Sequence, residues 1–380
     1  MSTNSPTRRS TRLGVEQLEV RDVPSAVFSD SGGLSVAFGD VITTRGTEEY
    51  VTGTGPGRPG LVRVWDDSGA LLYSFRPFGN FSGGIYVAVG NVVRPNASVN
   101  PIFPDPQEIV VSTGPGTSGR VKVYSFTGGS LQEVADFLPF GPNYNGGVQL
   151  ALGNVTGDNS IESVRKDEIV VGQQRGGSNV KVYSIDNSTP VIQVFQLRSF
   201  NAYAPSYRGG VTVGVGNIHP TPNVPTDPYS YEYDEIVTGR ASGLPHVKIF
   251  DAQTSTVTTL ASYMAYDISI PANRVGINVY AFATDGIRGC EIYVNPVGTA
   301  RVTILDGWTS SYRGEFVVAV PPRTRGIYLA TGRPTDPLLA ESGIRDVIAV
   351  FTVGPYEQIP IIFPGALNSP AGLNGSYPAG

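Results

Sequence analysis

A tandem repeat constrains the fold of this chain more than any other feature of its sequence. A glycine pair or a related dipeptide is followed by an alternating apolar run that, in the clearest copies, ends in Gly-Asn or Gly-Asp. Copies begin at 32–33, 83–84, 146–147 and 209–210, with weaker copies near 275 and 314. The clear central copies recur every 63 residues. Repeats of this length indicate a fold built from one repeated supersecondary unit, used here six times.

Each unit contains four short runs with the composition of β-strands. In the second unit they cover 85–91, 108–112, 121–124 and 134–140. Gly-Pro turns separate them, as between neighbouring strands of one antiparallel sheet. Six such sheets arranged in a ring bury both faces of every sheet. The predicted fold class is therefore all-β, a six-bladed β-propeller with about four antiparallel strands per blade. Two stacked β-sandwiches are the alternative, which the tandem copies disfavour.

The last units are the most divergent. We expect the sixth unit to use 316–320, 328–332, 347–351 and 359–363 as its four strands, and the fourth strand of the fifth unit is not evident. Pairing of 34–38 with 358–363 would close the ring. The predicted domains are an N-terminal leader at 1–27, the propeller at 28–364 and a disordered tail at 365–380, rich in Gly, Pro, Ala, Ser and Asn.

Composition narrows the classes of partner. The 47 Gly and 30 Pro residues recur as turn residues at fixed places in the units, and only 16% of residues are charged. A net charge of −5 over 380 residues predicts no nucleic-acid partner. No apolar stretch approaches 18 residues, so we expect no membrane span. A single cysteine excludes an intramolecular disulfide. As a separate expectation, the protein is a monomer.

The N-terminal sequence resembles a bacterial export-associated segment. Residues 12–25 read RLGVEQLEVRDVPS. They are similar to the LExLExRxxPS leader of many large exported bacterial surface proteins. The resemblance implies an extracellular or cell-surface location, and a charged, frayed tail is the alternative.

The repeat itself resembles a known propeller family. The order GGVxVAxGD, xEIVVGTGPG, xVKVYD and SFxPFxxxFxGG is similar to the FG-GAP (VCBS-type) repeat of integrin α-subunit heads and of bacterial surface proteins. The resemblance covers about 30–363 and is closest in the first four units. It implies a propeller with four-stranded blades. It also implies an oxygen-rich calcium loop after the first strand of a unit.

Calcium is the one cofactor that the resemblance suggests, because a hard cation requires several oxygen ligands. In this chain the loops are degenerate, and only the third unit retains oxygens at alternate positions. Its candidate ligands are Asn154, Thr156, Asp158 and Glu168. The alternative, which we favour, is that the Asx side chains cap turns and that the glutamates flank the second strands. No other cofactor is expected.

Catalytic residues are not predicted. The chain has two histidines, His219 and His246, and His246 aligns with Arg120 and Asn179 at the start of a third strand. This position favours a structural role. Cys290 precedes a strand, where we expect a small buried thiol. No sequence feature selects a pair of carboxylates for glycoside hydrolysis.

Inserted loops are the candidate binding elements. The long insertions at 94–107, 157–167 and 219–234 all lie between a first and a second strand, so they should share one face of the ring. Loop tyrosines are the candidate contact residues, since their rings are amphipathic. They are Tyr229, Tyr231 and Tyr233 in the insertion at 219–234 and, on the same reasoning, Tyr207 in the separate segment 203–208. We therefore expect a non-catalytic recognition or adhesion module with a protein or glycan partner. The alternatives are a glycosidase or lyase, and a passive structural unit of a surface assembly.

Overall fold

The computed structural model describes residues 34–42, 49–66, 69–93, 106–157, 166–188, 191–218, 233–282, 289–318, 327–332, 346–351 and 361–363. The structural findings below concern these residues. The predicted leader and tail lie outside them.

Five sheets of four antiparallel strands follow one another along the chain, each with its strands in sequence order. They are β1–β4 (Leu34–Gly39, Glu49–Thr54, Val62–Trp65, Leu71–Phe75), β5–β8 (Ile85–Gly90, Glu108–Thr113, Val121–Thr127, Ser130–Phe137), β9–β12 (Val148–Gly153, Glu168–Gln173, Asn179–Asp186, Gln193–Asn201), β13–β16 (Val211–Gly216, Glu235–Arg240, His246–Asp251, Thr258–Met264) and β17–β20 (Ile277–Phe282, Glu291–Pro296, Arg301–Leu305, Tyr312–Val317). The last sheet has three strands, β21–β23 (Ile327–Gly332, Asp346–Phe351, Ile361–Phe363).

The predicted all-β propeller with four-stranded antiparallel blades is confirmed, but the predicted number of such blades is wrong. The described part of the chain forms five four-stranded blades, not six, because its last sheet contains three strands. First strands of successive blades pack side by side, as β1 does on β5 and β5 on β9. This arrangement places the first strands around the centre of the ring.

The strands predicted for the last unit are also misassigned. The run expected to begin at 316 as a first strand overlaps β20, which is the outer strand of the fifth blade and pairs with β19. The run at 328–332 belongs to β21, an inner strand beside β1, rather than to a second strand. The physical reason is that Phe316 packs in the core of its own blade with Tyr293 and Val302. An apolar run cannot distinguish a first from a fourth strand when the turns between them are atypical.

The ring closes by packing and not by the shared strand that we considered. β1 pairs with β2 and packs against β21 and β22, whereas β23 pairs with β22. The first and last sheets therefore meet as neighbouring blades do.

Apolar cores lie between successive sheets, as the repeat predicts. Val110 and Val123 of the second blade, for example, join Val148 and Ile169 of the third in one buried cluster. The pairing of each third strand with its fourth strand also contains a β-bulge, whose extra residue lies in the fourth strand, as at Val134 opposite Val123 and Tyr124. A bulge bends the strand and re-aims the side chain that follows it. It recurs in all five four-stranded blades.

The glycine pairs turn the chain between blades. The second glycine of three pairs has a left-handed φ, of 95° at Gly84, 83° at Gly147 and 89° at Gly210. At Gly210 a Cβ atom would also lie 1.8 Å from the carbonyl oxygen of Gln174 in the preceding blade. Gly210 therefore combines a positive φ with a close backbone approach, both of which favour glycine.

The two ends of the ring are made of different connections. We call "insertion face" the end where first strands finish and second strands begin, marked by the pairs Gly39–Glu49, Gly90–Glu108, Gly153–Glu168, Gly216–Glu235 and Phe282–Glu291. We call "turn face" the opposite end, formed by the turns at 54–61, 113–120, 173–179 and 240–246 and by the links between blades. Because every insertion starts and ends at the insertion face, their predicted clustering follows from the strand order.

Candidate functional site

A buried glutamate anchors the start of each described insertion. The Glu108 side chain is 5% exposed, and its Oε2 atom accepts hydrogen bonds from the backbone N–H groups of Val92 and Val93 at 2.9 and 3.0 Å. Equivalent bonds join Val41 and Ile42 to Glu49, Val155 and Thr156 to Glu168, and Ile218 to Glu235. The carboxylate thus caps the first N–H groups after the inner strand, which would otherwise be buried without an acceptor.

A second set of bonds joins each insertion to the next blade. The N–H of Asp167, in the third blade, donates to the carbonyl oxygen of Asn91, in the second, at 2.7 Å. In return the N–H of Asn91 donates to Oδ2 of Asp167 at 2.9 Å. We call this two-bond pairing an inter-blade clasp. It recurs between Asp40 and Gln107 and between Asn154 and Asp234.

The junction between the fourth and fifth blades has a modified form of the clasp. The N–H of Cys290 donates to the carbonyl oxygen of Asn217 at 2.6 Å, so the backbone half of the clasp is kept. The side-chain carboxylate is replaced by a thiol. Burial raises the pKa of Cys290, as do the nearby negative charges of Asp234 and Glu291. The thiol is therefore held in its neutral form and is a poor nucleophile, as expected from its position before a strand.

The predicted calcium ligands make hydrogen bonds with their own loop. Oδ1 of Asn154 accepts a bond from the N–H of Gly157 at 3.0 Å, so this side chain caps the start of the loop. The Thr156 hydroxyl donates to Oε1 of Glu168 at 2.7 Å, and the other oxygen of Glu168 caps the loop. Asp158 lies outside the described residues. These three ligand candidates are brought together, but their oxygens bind protein donors.

In the part of the chain that the structure describes, no cluster of three His, Cys, Asp or Glu side chains is arranged to hold a metal ion.

The predicted contact tyrosines are divided between the two faces. Tyr229 and Tyr231 lie outside the described residues. Tyr233 is half-buried at the insertion face, where its Cβ atom lies over Gly157 of the neighbouring insertion. Burial and the charges of Asp251 and Glu235 raise its pKa. Tyr207 lies on the turn face, where its hydroxyl donates to the carbonyl oxygen of Ser242 at 2.8 Å.

Tyr207 occupies a repeated structural position. Tyr144, 63 residues earlier, bonds through its hydroxyl to the carbonyl oxygen of Arg175 in the turn of the next blade at 2.9 Å. Tyr207 makes the equivalent bond one blade later. The alignment of the repeats could have shown this, since Phe81 stands at the same place one unit before Tyr144.

Tyrosines that sequence analysis did not single out fill the centre of the ring. Tyr86 of β5 and Tyr328 of β21 have ring centroids 6.2 Å apart, and their hydroxyls hydrogen-bond to each other. Gln174 donates a further bond from Nε2 to the Tyr86 hydroxyl at 2.5 Å. Because β5 and β21 both pack on β1, the contact bridges the inner side of the first blade.

Burial raises the pKa of Tyr86, of Tyr328 and of Tyr280, whose hydroxyl faces the carbonyl oxygen of Ile327 at 3.5 Å. These hydroxyls therefore remain protonated and act as neutral hydrogen-bonding groups at physiological pH. Tyr86 and Tyr328 were hard to single out from the sequence, because the second position of the first strand varies between units. It is Ser, Tyr, Gln, Thr, Asn and Tyr in successive units.

His246 has a structural setting on the third strand of its blade. Its Nε2 atom lies 2.8 Å from the hydroxyl oxygen of Ser262. Burial lowers the pKa of His246, and the positive charges of Lys248 and Arg240 lower it further. His219 lies outside the described residues.

Comparison with known proteins gives few relatives in sequence. No protein-family model matches the chain, and no curated protein matches it. Among solved structures, the chain is similar to the β-propeller domain of Cps50 (Swd1) from Myceliophteria thermophila. The two are 12% identical, with a TM-score of 0.43 over 89% of this chain and 88% of that chain. The propeller fold described above rests on strand pairing and on the contacts between blades.

Among the described residues, no helix has both the length and the apolar character needed to cross a membrane.

Proposed function

We propose that this protein is a non-catalytic, exported recognition or adhesion module whose inserted loops contact a protein or glycan partner at the cell surface. One observation carries the proposal: successive insertions leave the same face, and each is anchored there by a buried glutamate cap and an inter-blade clasp. A rigid scaffold that fixes the roots of variable loops is the usual basis of loop-mediated binding. The LExLExRxxPS-like leader supports export.

The proposal includes a closed ring of FG-GAP-type units, present as a monomer. The three-stranded sheet would complete the ring beside the five four-stranded blades. Its support is that Ile327 and Leu329 of β21 enter the buried cluster of the fifth blade, while β21 also packs on β1 of the first. Calcium is not required in this proposal, because loop donors already occupy the oxygens of Asn154 and Glu168.

The hydrogen bonds made by the buried glutamates favour a recognition function over glycoside hydrolysis. Glu108 and Glu168 both accept backbone N–H bonds in buried settings, so neither is free to act as a general acid or a nucleophile. The glycosidase or lyase alternative would need its catalytic pair elsewhere on the insertion face.

A loop exchange tests the proposed function. Residues 220–232 are replaced by a short Gly-Ser linker, which leaves Asp234 and its clasp to Asn154 in place. A matched control replaces Gly128, at the tip of the β7–β8 hairpin, with Asn, a residue that tolerates its φ of 59°. Beads coated with each protein are assayed for adhesion to intact bacterial cells and to a glycan array.

We expect the loop exchange to abolish adhesion and the control to retain it. Adhesion that survives this exchange and the equivalent exchange of residues 94–105 would refute a loop-mediated function. Release of sugars from a polysaccharide, lost on alanine substitution of acidic residues of the insertion face, would favour the enzyme alternative. Dialysis against EGTA should leave the melting temperature unchanged.

A further inference from the structure

Three positively charged side chains lie on the turn face of the fourth blade. Arg240, at the end of β14, stacks its guanidinium on the Tyr207 ring, with its Cζ atom 3.9 Å from the ring centroid. Lys248 has its Nζ atom 5.5 Å from the centroid of Tyr203. Arg208 is exposed, and its guanidinium donates to the backbone carbonyl oxygens of Pro205 and Tyr207. We call Arg208, Arg240 and Lys248 the basic cluster.

Within the described residues, no carboxylate forms an ion pair with Arg208, Arg240 or Lys248. The Nε atom of Arg240 is buried and has no hydrogen-bond partner there. A buried guanidinium N–H without a protein acceptor costs free energy.

The second blade shows what a balanced version of this site looks like. Lys122 stands at the position of Lys248, and its Nζ atom lies 2.7 Å from Glu133 and 3.6 Å from Asp136. Arg120, at the position of His246, makes a two-bond ion pair with Asp136. In the fourth blade, by contrast, the residue opposite Lys248 is Ser262. The same framework therefore carries neutralised cations in one blade and unneutralised cations in the other.

The surroundings of the basic cluster suit a sugar polymer. Hydroxyl groups of Tyr207, Ser242 and Ser262 lie around the cations, where they can exchange hydrogen bonds with sugar hydroxyls. Exposed arginines continue along the same face in the neighbouring links, at Arg175 and Arg274. A duplex nucleic acid presents charge far more densely than these separated cations can match. Arg240 covers one face of the Tyr207 ring, which limits the stacking of bases there.

We propose that the basic cluster is a binding site for an acidic polysaccharide, in which guanidinium and ammonium groups pair with the carboxylate or sulfate groups of successive sugars. The site lies on the face opposite the insertions, so the protein would hold an acidic polymer on one side and its loop partner on the other. An arginine fork matches the two oxygens of a carboxylate.

The test uses the full chain and oligogalacturonate, which carries one carboxylate per sugar. Its methyl ester, of the same length but uncharged, is the ligand control, and affinities are measured by isothermal titration calorimetry. Arg240→Gln and Arg208→Gln are the test variants. The double variant Arg120→Gln with Lys122→Gln, in the balanced second blade, is the matched protein control.

We expect oligogalacturonate to bind in a salt-dependent manner and its methyl ester not to bind. Each test variant should weaken the affinity about tenfold, the loss typical of one charge-assisted hydrogen bond. The double variant should leave the affinity unchanged. If Arg240→Gln lowers the melting temperature sharply, the exposed Arg208 decides the outcome.

Equal binding of the methyl ester, or unchanged affinity in Arg208→Gln, would overturn the proposal. Binding of duplex DNA as tight as that of oligogalacturonate would overturn the assignment to a sugar polymer. The variant that lacks residues 220–232 should still bind oligogalacturonate. Failure of this site and failure of the loop-mediated function are therefore distinguishable.

Discussion

The backbone N–H of Asn154 in the third blade donates to Oδ2 of Asp234 in the fourth at 2.9 Å, and the N–H of Asp234 donates back to the carbonyl oxygen of Asn154 at 2.7 Å. Gly153 makes this approach possible, since a Cβ atom there would lie 2.8 Å from the Asp234 carboxylate. The Gly-Asx dipeptide after the first strand and the acidic residue before the next second strand therefore form one joint. Both parts of the motif contribute to holding neighbouring blades together.

Removing the side chain of Asp234 should destabilise the ring. In Asp234→Ala the N–H of Asn154 loses its acceptor in a partly buried site, which costs about 1–3 kcal/mol of unfolding free energy. Urea unfolding followed by tryptophan and tyrosine fluorescence measures the change. Asp251→Ala, which removes a carboxylate from the same face outside the clasps, is the control. Equal stability of the two variants would contradict a structural role for the clasp.

The glutamate caps should be sensitive to loss of charge without loss of size. In Glu108→Gln the amide oxygen can still accept bonds from Val92 and Val93, but these bonds lose their ionic character. We expect the free energy of unfolding to fall by about 1–3 kcal/mol.

The control for this cap is Glu133→Gln, whose side chain is 43% exposed and pairs with Lys122 on the surface. Its effect should be below about 1 kcal/mol. A larger loss in the control than in Glu108→Gln would show that burial of the cap does not matter. Both variants are compared by their urea midpoints.

The repeated elements were predictable from sequence because local rules and ring geometry agree there. Four apolar runs with turn glycines indicated the blades, and the turns gave the positive φ values of Gly84 and Gly147. The conserved spacing of Asx and Glu was also visible, but its partners were not. A calcium loop and an inter-blade clasp both need oxygen-bearing side chains at these positions, and only the three-dimensional register distinguishes Asp234 as the partner of Asn154.

The rest of the molecule depends on contacts between units that a repeat pattern does not encode. Tyr86 meets Tyr328 across the ring, although 242 positions separate them in the sequence. The basic cluster is likewise invisible in the net charge of −5, because it arises where Ser262 replaces the acidic residue that faces Lys122 in the second blade. The strands of the sixth unit were misassigned and the fourth strand of the fifth was not evident, because the turns there lack the glycine pairs that mark the earlier units.

Two glycines with similar backbone angles should respond differently to alanine. Gly210 and Gly243 have φ values of 89° and 83°. A Cβ atom at Gly243 would meet nothing within 4 Å, whereas at Gly210 it would collide with the carbonyl oxygen of Gln174. We expect Gly243→Ala to cost about 1–2 kcal/mol, the left-handed strain alone. Gly210→Ala should cost more, or prevent folding, and similar thermal unfolding of the two variants would refute the close approach.

Alkaline pH should destabilise the protein through its buried tyrosines. The Tyr266 hydroxyl donates to the carbonyl oxygen of Val294, and burial raises the pKa of Tyr266 from its usual 10.0 to about 12. The folded state therefore retains a proton that the unfolded state loses. The stabilising contribution is complete below pH 10 and is lost as the pH rises toward 12.

Between pH 9 and 11, Tyr266→Phe should fall in stability by about 1 kcal/mol less than the parent protein. The comparison is made by urea unfolding at each pH. Tyr312→Phe, at a 63% exposed position, should follow the parent curve. Parallel curves for Tyr266→Phe and the parent would contradict the assigned pKa.

A substitution at the junction between the fourth and fifth blades should restore the side-chain half of the clasp. Cys290 occupies the place of Asp167 and Asp234 and approaches Gly216 as they approach Gly90 and Gly153, with 2.9 Å between its Sγ atom and a Cβ atom built on the glycine. Cys290→Asn would supply an oxygen acceptor for the N–H of Asn217 without adding charge near Asp234 and Glu291. Because an amide oxygen accepts a hydrogen bond better than a thiol, we expect the free energy of unfolding to rise by about 0.5–1.5 kcal/mol. Cys290→Ala, which removes the thiol and adds no acceptor, should instead lower it, and equal stability of the two variants would show that the clasp cannot be completed at this junction.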